Sequence, residues 1–243
     1  DLSVRTGVST RHLSCVETGR ARPSRELLVF LADELDMPAR VTNELLLAAG
    51  FAPVFSQHGL DDDATGAVRD VVRLVLDGND PNPTTVIDTR WNLLDANAAA
   101  LWLARGVDPD LLSGHVNIAR LSLHPGGLAP RVLNLHEFAG QLLRHMRHTL
   151  ASTHDAELAA LITECEGYVP DHERVTSPAG EVVLPMRIVD DGRQLAFLST
   201  ITTFGAARDV TISELSIETL YPADAITRAV LERRPWSESA ATA

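Results

Sequence analysis

The hydrophobic pattern is helical through most of residues 10–166 and strand-like after residue 181. Leu13 and Val16 share one face of a predicted helix over 10–18, with Thr10, Arg11 and Ser14 on another. Before it, Gly7-Val8-Ser9 reads as a turn and an N-cap. Glycine accepts the left-handed conformation that ends a helix, and a serine hydroxyl accepts from the first free amides of the next. Gly19 ends this helix, and Pro23-Ser24 opens another whose buried stripe is Leu28, Leu31 and Ala32. A further helix is predicted over 41–49. Short helices with tight turns form the pattern of a helix-turn-helix bundle over residues 1–52. The opening DLSVRTG reads as the second half of a helix, and a truncated N-terminus is expected. Residues 53–64, with Pro53, Gly59 and three consecutive Asp, read as a linker.

Beyond the linker, Val68, Val71, Val72 and Val75 mark a short amphipathic helix. Residues 81–106 read as strand, turn, strand and helix: Val86 and Ile87 first, Trp91, Leu93 and Leu94 after the turn, and a helix over 96–105. The longest predicted helix covers 130–151, with Leu133, Phe138, Leu142, Leu143, Met146 and Leu150 inward; another covers 155–166. Three strands are predicted at 181–190, 193–205 and 209–222, the first two joined by an Asp190-Asp191-Gly192 hairpin turn. In the third, the apolar phase slips between Ile212 and Leu215, which predicts a bulge near Glu214. A closing helix has Pro222 in its first turn, and 236–243 read as a disordered tail. The fold class is therefore α+β: an N-terminal all-α helix-turn-helix bundle, then a PAS-like domain over 65–235 with helices on one face of an antiparallel sheet.

An apolar fraction of 45% against 22% charged residues describes a chain with a folded core. No apolar run reaches the ~18–20 residues that span a bilayer, so a cytoplasmic protein without membrane contact is expected. The two cysteines, Cys15 and Cys165, fall in different predicted domains and make no disulfide framework. Charge changes the picture more. Residues 1–25 hold five arginines against Asp1 and Glu17, a local balance of +3 in a chain of net charge −12. That asymmetry fits a small DNA-contacting end on an acidic body. A recognition helix enters the major groove by its N-terminal end, where short polar residues and an arginine belong. Ser9, Thr10, Arg11 and Ser14 are the candidate base-reading or phosphate-contacting residues, with Arg20 and Arg22 placed for backbone contacts. A homodimer on two half-sites of operator DNA is expected, because one helix reads too few base pairs.

The stretch DLSVRTGVSTRHLSCVETGRARPSRELLVFLADELDM resembles the Xre/Cro-type helix-turn-helix domains, through Leu2, Gly7, Val8, Ser9, Leu13, Ser14, Glu17, Gly19, Pro23, Ser24, Leu28, Leu31, Ala32 and Leu35. The body resembles the MmyB-like ligand-binding domain that follows such helices in bacterial regulators, through VIDTRWNLLDAN, NIARLSLHPGGLAPRVLNLHEF and FLSTITTFGAARDVTISELSIETLYPAD. The resemblance implies a PAS-like domain with an apolar cavity for a fatty-acid-like ligand. This chain has Ala206-Ala207 where that family usually reads Thr-Pro.

Enzyme chemistry finds no footing. His136-Glu137 lacks the second histidine of a zinc-protease helix, and neither a Gly-x-Ser-x-Gly elbow nor a phosphate-binding glycine loop occurs. His124-Pro125-Gly126-Gly127 reads as a helix terminus. His145, His148 and His154 are the candidates for a metal site, against solvated histidines on a polar face. No cofactor is expected beyond a bound apolar ligand. Candidate cavity residues are Trp91, Leu101, Trp102, Phe138, Leu142, Met146, Phe197, Ile201 and Phe204, with Arg90, Arg120 or Arg131 to anchor a carboxylate head. Two alternatives stand beside a ligand-sensing regulator: a body that is a ligand-free dimerisation or interaction module, and a haem or metal sensor.

Overall fold

The Ser9 hydroxyl accepts from the amide of His12 at 3.2 Å and opens helix α2 (Thr10–Glu17), which follows α1 (Leu2–Thr6). Gly7 and Gly19 bracket α2 with φ of +68° and +71°, the left-handed turns that their residue type permits. Ser24 caps α3 (Arg25–Glu34) in the same way, accepting from Leu27, and α4 (Ala39–Ala48) follows. The computed structural model describes residues 2–60, 62–170, 184–205 and 207–234. It divides into two units: residues 1–62 with 205–213, and 63–204 with 214–243.

In the first unit Leu13, Leu28, Ala32 and Leu46 are buried. The start of the predicted linker is held rather than loose. The buried Asn43 accepts from the amides of Val54 and Phe55 at 3.0 and 3.1 Å and donates to the Phe55 carbonyl at 2.9 Å. Ser56 then bridges to Asp209, and its carbonyl accepts from Val210 at 2.8 Å. The His58 amide and Nδ1 lie 3.1 and 2.8 Å from the Asp209 carboxylate. Burial pushes that carboxyl's pKa up, but the hydrogen bonds from His58, Ser56 and Ile212 outweigh it and leave it below the usual range. Asp209 also corrects the predicted strand at 209–222. Its Oδ1 accepts from Ile212 at 3.3 Å and starts a helical turn, Val210–Ser213. The slip in apolar phase is that turn, not a bulge.

The second unit is a curled antiparallel sheet covered by helices. Its elements are α5 (Gly66–Gly78), β1 (Thr84–Ile87), β2 (Leu93–Ala96), α6 (Ala98–Leu103), α7 (Ile118–Leu123), α8 (Leu135–Thr153), α9 (Ala156–Tyr168), β3 (Met186–Asp190), β4 (Arg193–Thr203) and β5 (Ser216–Pro222). A closing helix spans Ala225–Glu232. The strand order is β2-β1-β5-β4-β3, so β5, last in the chain, lies at the centre. Asp191 and Gly192 turn the β3–β4 hairpin with φ of 47° and 74°, as a two-residue Asp-Gly turn requires. β4 and β5 pair from Phe197↔Pro222 to Thr203↔Ser216, and β1 meets β5 from Thr84↔Thr219 to Ile87↔Ser216.

Local differences from the sequence-based expectation have local causes. The longest helix starts at Leu135, not 130, because Val132 bridges to Ile188 and the Leu133 amide donates to the Arg187 carbonyl at 2.8 Å. Leu133, expected inward, is 55% exposed. Val71 is exposed as well; α5 buries Val72 and Leu76 instead. Pro222 ends β5, and Asp224 caps the closing helix. In the two-glycine turn, a Cβ on Gly127 would lie 2.1 Å from the Leu121 carbonyl oxygen, so only glycine fits. The predicted tail 236–243, the first residues of the 181–190 strand and the Ala206 departure lie outside the described residues.

Candidate ligand-binding cavity

A cavity of about 390 Å3 lies between the sheet and helices α6–α8 of the second unit. Its volume falls within the range of small-molecule sites. Cross-strand pairing builds the sheet wall: Glu218 pairs with Thr85 on one side and Ile201 on the other, and all three line the cavity. Ser199 and Leu220, two residues along their strands, continue the wall on the same face. Opposite stand Leu103 of α6, Ile118, Leu121 and Ser122 of α7, and Phe138, Gln141, Leu142 and His145 of α8. The α8 residues recur at the three- and four-residue steps that put side chains on one helical face.

Trp91 closes one side, held in a left-handed conformation with φ of +65°. A non-glycine residue stays there only when its surroundings over-determine it. Asp88 supplies that constraint, accepting from the amides of Arg90 and Asn92 at 2.8 and 2.9 Å. Asn117 donates to the Arg90 carbonyl at 2.8 Å, and the Trp91 carbonyl accepts from Ile118 at 2.8 Å. Asn97 plays a similar part at β1. Its Oδ1 accepts from the amides of Thr84 and Ala100, and its Nδ2 donates to Asn82 and Asp80.

Of the predicted cavity residues, Trp91, Phe138, Leu142 and Ile201 line the space. Leu101 does not: it is 53% exposed, and its neighbour Leu103 faces the cavity. Trp102 packs in the core with Arg105 and Arg234 over its ring, 4.9 and 4.4 Å from the centroid. Met146 and Phe197 are fully buried in the surrounding core, and Phe204 follows the end of β4 without reaching the wall. The predicted carboxylate anchors are also elsewhere. Arg90 is committed to Asp155 at 2.7 Å and to Glu157; Arg120 forks onto Glu164 at 2.5 and 2.8 Å. Arg131 holds Asp190 at 3.1 Å and the carbonyls of Leu103, Arg105 and Val189.

The polar lining residues Ser199, Glu218, Gln141 and His145 escape a search for apolar side chains alone. Their strand and helix spacing carried the signal: Glu218 alternates with Leu220, and Gln141 and His145 follow Phe138 by three and seven. Burial pushes the Glu218 carboxyl up, countered in part by a 2.6 Å hydrogen bond from Ser199. Burial pulls His145 down, with His148 adding to it, and the imidazole stands edge-on to Trp91 at 5.9 Å. Among the described residues no three His, Cys, Asp or Glu side chains gather as a metal-binding group, His145, His148 and His154 included. Cys165 is buried, which pushes its thiol up to about 12 and keeps it from thiolate chemistry.

In the first unit Thr10, Arg11 and Ser14 are exposed on α2. Ser9 uses its hydroxyl in the cap, and Arg20 is exposed. Arg22 differs: its guanidinium lies 3.4 Å from the Ala49 carbonyl, at the C-terminal end of α4.

No helix among the described residues is long and apolar enough to cross a membrane. A family model described as the MmyB-like transcription regulator ligand binding domain matches residues 68–233. No curated protein matches the chain.

Proposed function

The chain belongs to the family of MmyB-like transcription regulator ligand-binding domains, and from that premise we propose that it is a DNA-binding, one-component regulator that senses a small apolar ligand. Residues 63–234 hold the ligand, in the manner of a hydrocarbon body such as an acyl chain. Residues 1–52 act as an Xre-type helix-turn-helix module on operator DNA, as a homodimer in the cytoplasm. The observation that carries this reading is the path of the chain between β4 and β5. Both strands line the cavity, through Ser199 and Ile201 on one and Glu218 and Leu220 on the other. The segment that joins them, 205–213, belongs to the helical N-terminal unit through its bonds to Ser56 and His58.

A ligand that shifts β4 against β5 therefore acts on a segment of the DNA-reading unit without an intermediary. It regulates only if it binds the DNA-competent and incompetent arrangements with different affinity. A coupling of about 1–3 kcal/mol is the usual size for such a link.

Native mass spectrometry of the gently purified chain tests the sensor reading. A stoichiometric apolar molecule, released on denaturation and identified by its mass, is the expected result. A ligand-free dimer from several expression hosts would transfer the role of this domain to protein interaction. The DNA reading makes a separate prediction. Arg11→Ala should weaken operator binding by about 1–3 kcal/mol and leave binding to random DNA nearly unchanged. Equal losses on both, measured by fluorescence anisotropy at one salt concentration, would remove Arg11 from base reading.

A further inference from the structure

Helix α5 is apolar on two sides, and the side turned away from the sheet has a pattern that fits a second copy of this chain. Two ties place α5 on the sheet face opposite the cavity. Arg73 lies 3.7 Å from Asp95, which pairs with Val86, and Tyr221 donates to Asn79, the C-cap of α5, at 3.0 Å. Val86 and Tyr221 alternate with Thr85 and Leu220 of the cavity wall, so they face the other way. Toward the sheet the helix buries Val72 and Leu76. On its outer side Ala67, Val71, Leu74 and Gly78 are exposed, Val71 at 45% and Leu74 at 72%. Their steps of four, three and four residues make one stripe, at the spacing of a helix–helix seam.

The stripe is its own complement when reversed. Turned end for end between Val72 and Arg73, it sets Ala67 on Gly78 and Val71 on Leu74, small against small and large against large. An interface about a two-fold axis needs this property, because each of its contacts occurs twice with the roles exchanged. The charges follow the same rule. Asp70, Arg73 and Asp77 line one flank of the stripe and are exposed. In an antiparallel pair of α5 helices that flank meets its own copy. Arg73 then lies two residues, about 3 Å along the axis, from Asp70 of the second copy. The two arginines stand at the middle, with the aspartates of both copies on either side.

We propose that this chain dimerises through α5, packed antiparallel on the α5 of a second copy about a two-fold axis near Val72 and Arg73. This rests on the homodimer of the regulator reading and gives it an interface. The helix has 13 residues and is about 20 Å long. A seam one helix wide falls short of the ~800 Å2 per partner of a standard interface, so a dissociation constant in the micromolar range is expected.

The test is sedimentation equilibrium of the full chain at micromolar concentrations and low salt, since exposed ion pairs are screened as ionic strength rises. A reversible dimer is expected. Leu74→Glu, checked for folding by circular dichroism, should raise the dissociation constant by about tenfold or more, because it sets a charge inside the seam. Arg73→Asp should raise it by about fivefold, through like charges facing each other across the axis. Asp70→Arg combined with Arg73→Asp should return it to within about twofold of the parent value, because opposite charges again alternate along the flank. Both of these variants lose the Arg73–Asp95 pair, so the recovery reports the contact across the axis. A parent chain that stays monomeric would overturn the homodimer reading and the interface together. A parent dimer that Leu74→Glu leaves intact would overturn the interface alone, and so would a double variant that associates no better than Arg73→Asp.

Discussion

Replacing Asp190 by alanine is expected to lower the stability of the sheet unit by about 3 kcal/mol, at the low end of the range for breaking a buried ion pair. Asp190 is 7% exposed and receives Arg105 at 2.9 Å, Arg131 at 3.1 Å and Arg234 at 3.6 Å. The three pairs are not equal. Arg105 and Arg234 keep much of their water and also stack on Trp102, so their share is small. Arg131 is the most buried of the three, and burial draws its pKa down further than Asp190 restores it. Loss of the carboxylate strands that guanidinium, although the carbonyls of Leu103, Arg105 and Val189 soften the penalty. The defect falls at the turn end of the β3–β4 hairpin, where Asp190 pairs with Arg193. Urea unfolding followed by circular dichroism measures it. The double variant Asp190→Ala with Arg131→Met should recover part of the loss, because removing both charges avoids the stranded one. A loss under 1 kcal/mol in the single variant would mean that the carbonyls alone suffice.

Residues that act on their sequence neighbours are legible in the sequence itself. Ser9 and Ser24 cap the helices that follow them, and Gly7, Gly19 and Gly192 adopt positive φ where turns are expected. Alternation and β-branched composition place β1, β3 and β4 for the same reason: a strand's pattern is local. What fails is long-range. The segment at 209–213 reads as strand by composition, and becomes a helical turn because Asp209 is engaged by Ser56 and His58, some 150 residues away. Leu133 is inward on a helical wheel, but its amide is taken by Arg187 on β3, which holds the residue outside the helix. Asn43, Asn97, Asn117 and Asn134 each tie distant backbone segments together, and nothing in a single sequence tells such an asparagine from a solvated one.

The cavity is legible in kind and only partly in membership. Its apolar walls follow from the abundance of large side chains between strand and helix signals, which reaches Trp91, Phe138, Leu142 and Ile201. The arginines are not legible, because an arginine's partner is a tertiary fact: Glu164, Asp155 and Asp190 come from a later helix and a later strand. Among the described residues, the ionisable side chains that line the cavity are then Glu218 and His145.

Trp91 joins the fold to the site, and its replacement by alanine should cost about 3–5 kcal/mol, as for other buried tryptophans. It is 5% exposed, packs with Ile87, Leu123, Leu142 and Met146, and meets the edge of His145. Its backbone distinguishes it from an ordinary core residue. A left-handed conformation costs an L-residue about 1–2 kcal/mol, and alanine inherits that cost while losing the ring that held the turn in place. Glycine escapes it, at a cost of about 0.5–1 kcal/mol in unfolded-chain entropy. Trp91→Gly should therefore be no less stable than Trp91→Ala, reversing the order found at most buried positions. Both variants open the cavity on the side of the Asp88–Asn92 turn, and neither touches the hydrogen bonds from Arg90 and Asn92 to Asp88. Urea titration of the two variants beside the parent chain decides the matter. A glycine variant weaker than the alanine variant by about 1 kcal/mol or more would show that the φ of Trp91 carries no strain, and a loss below about 2 kcal/mol in both would show that the ring is not what packs this wall.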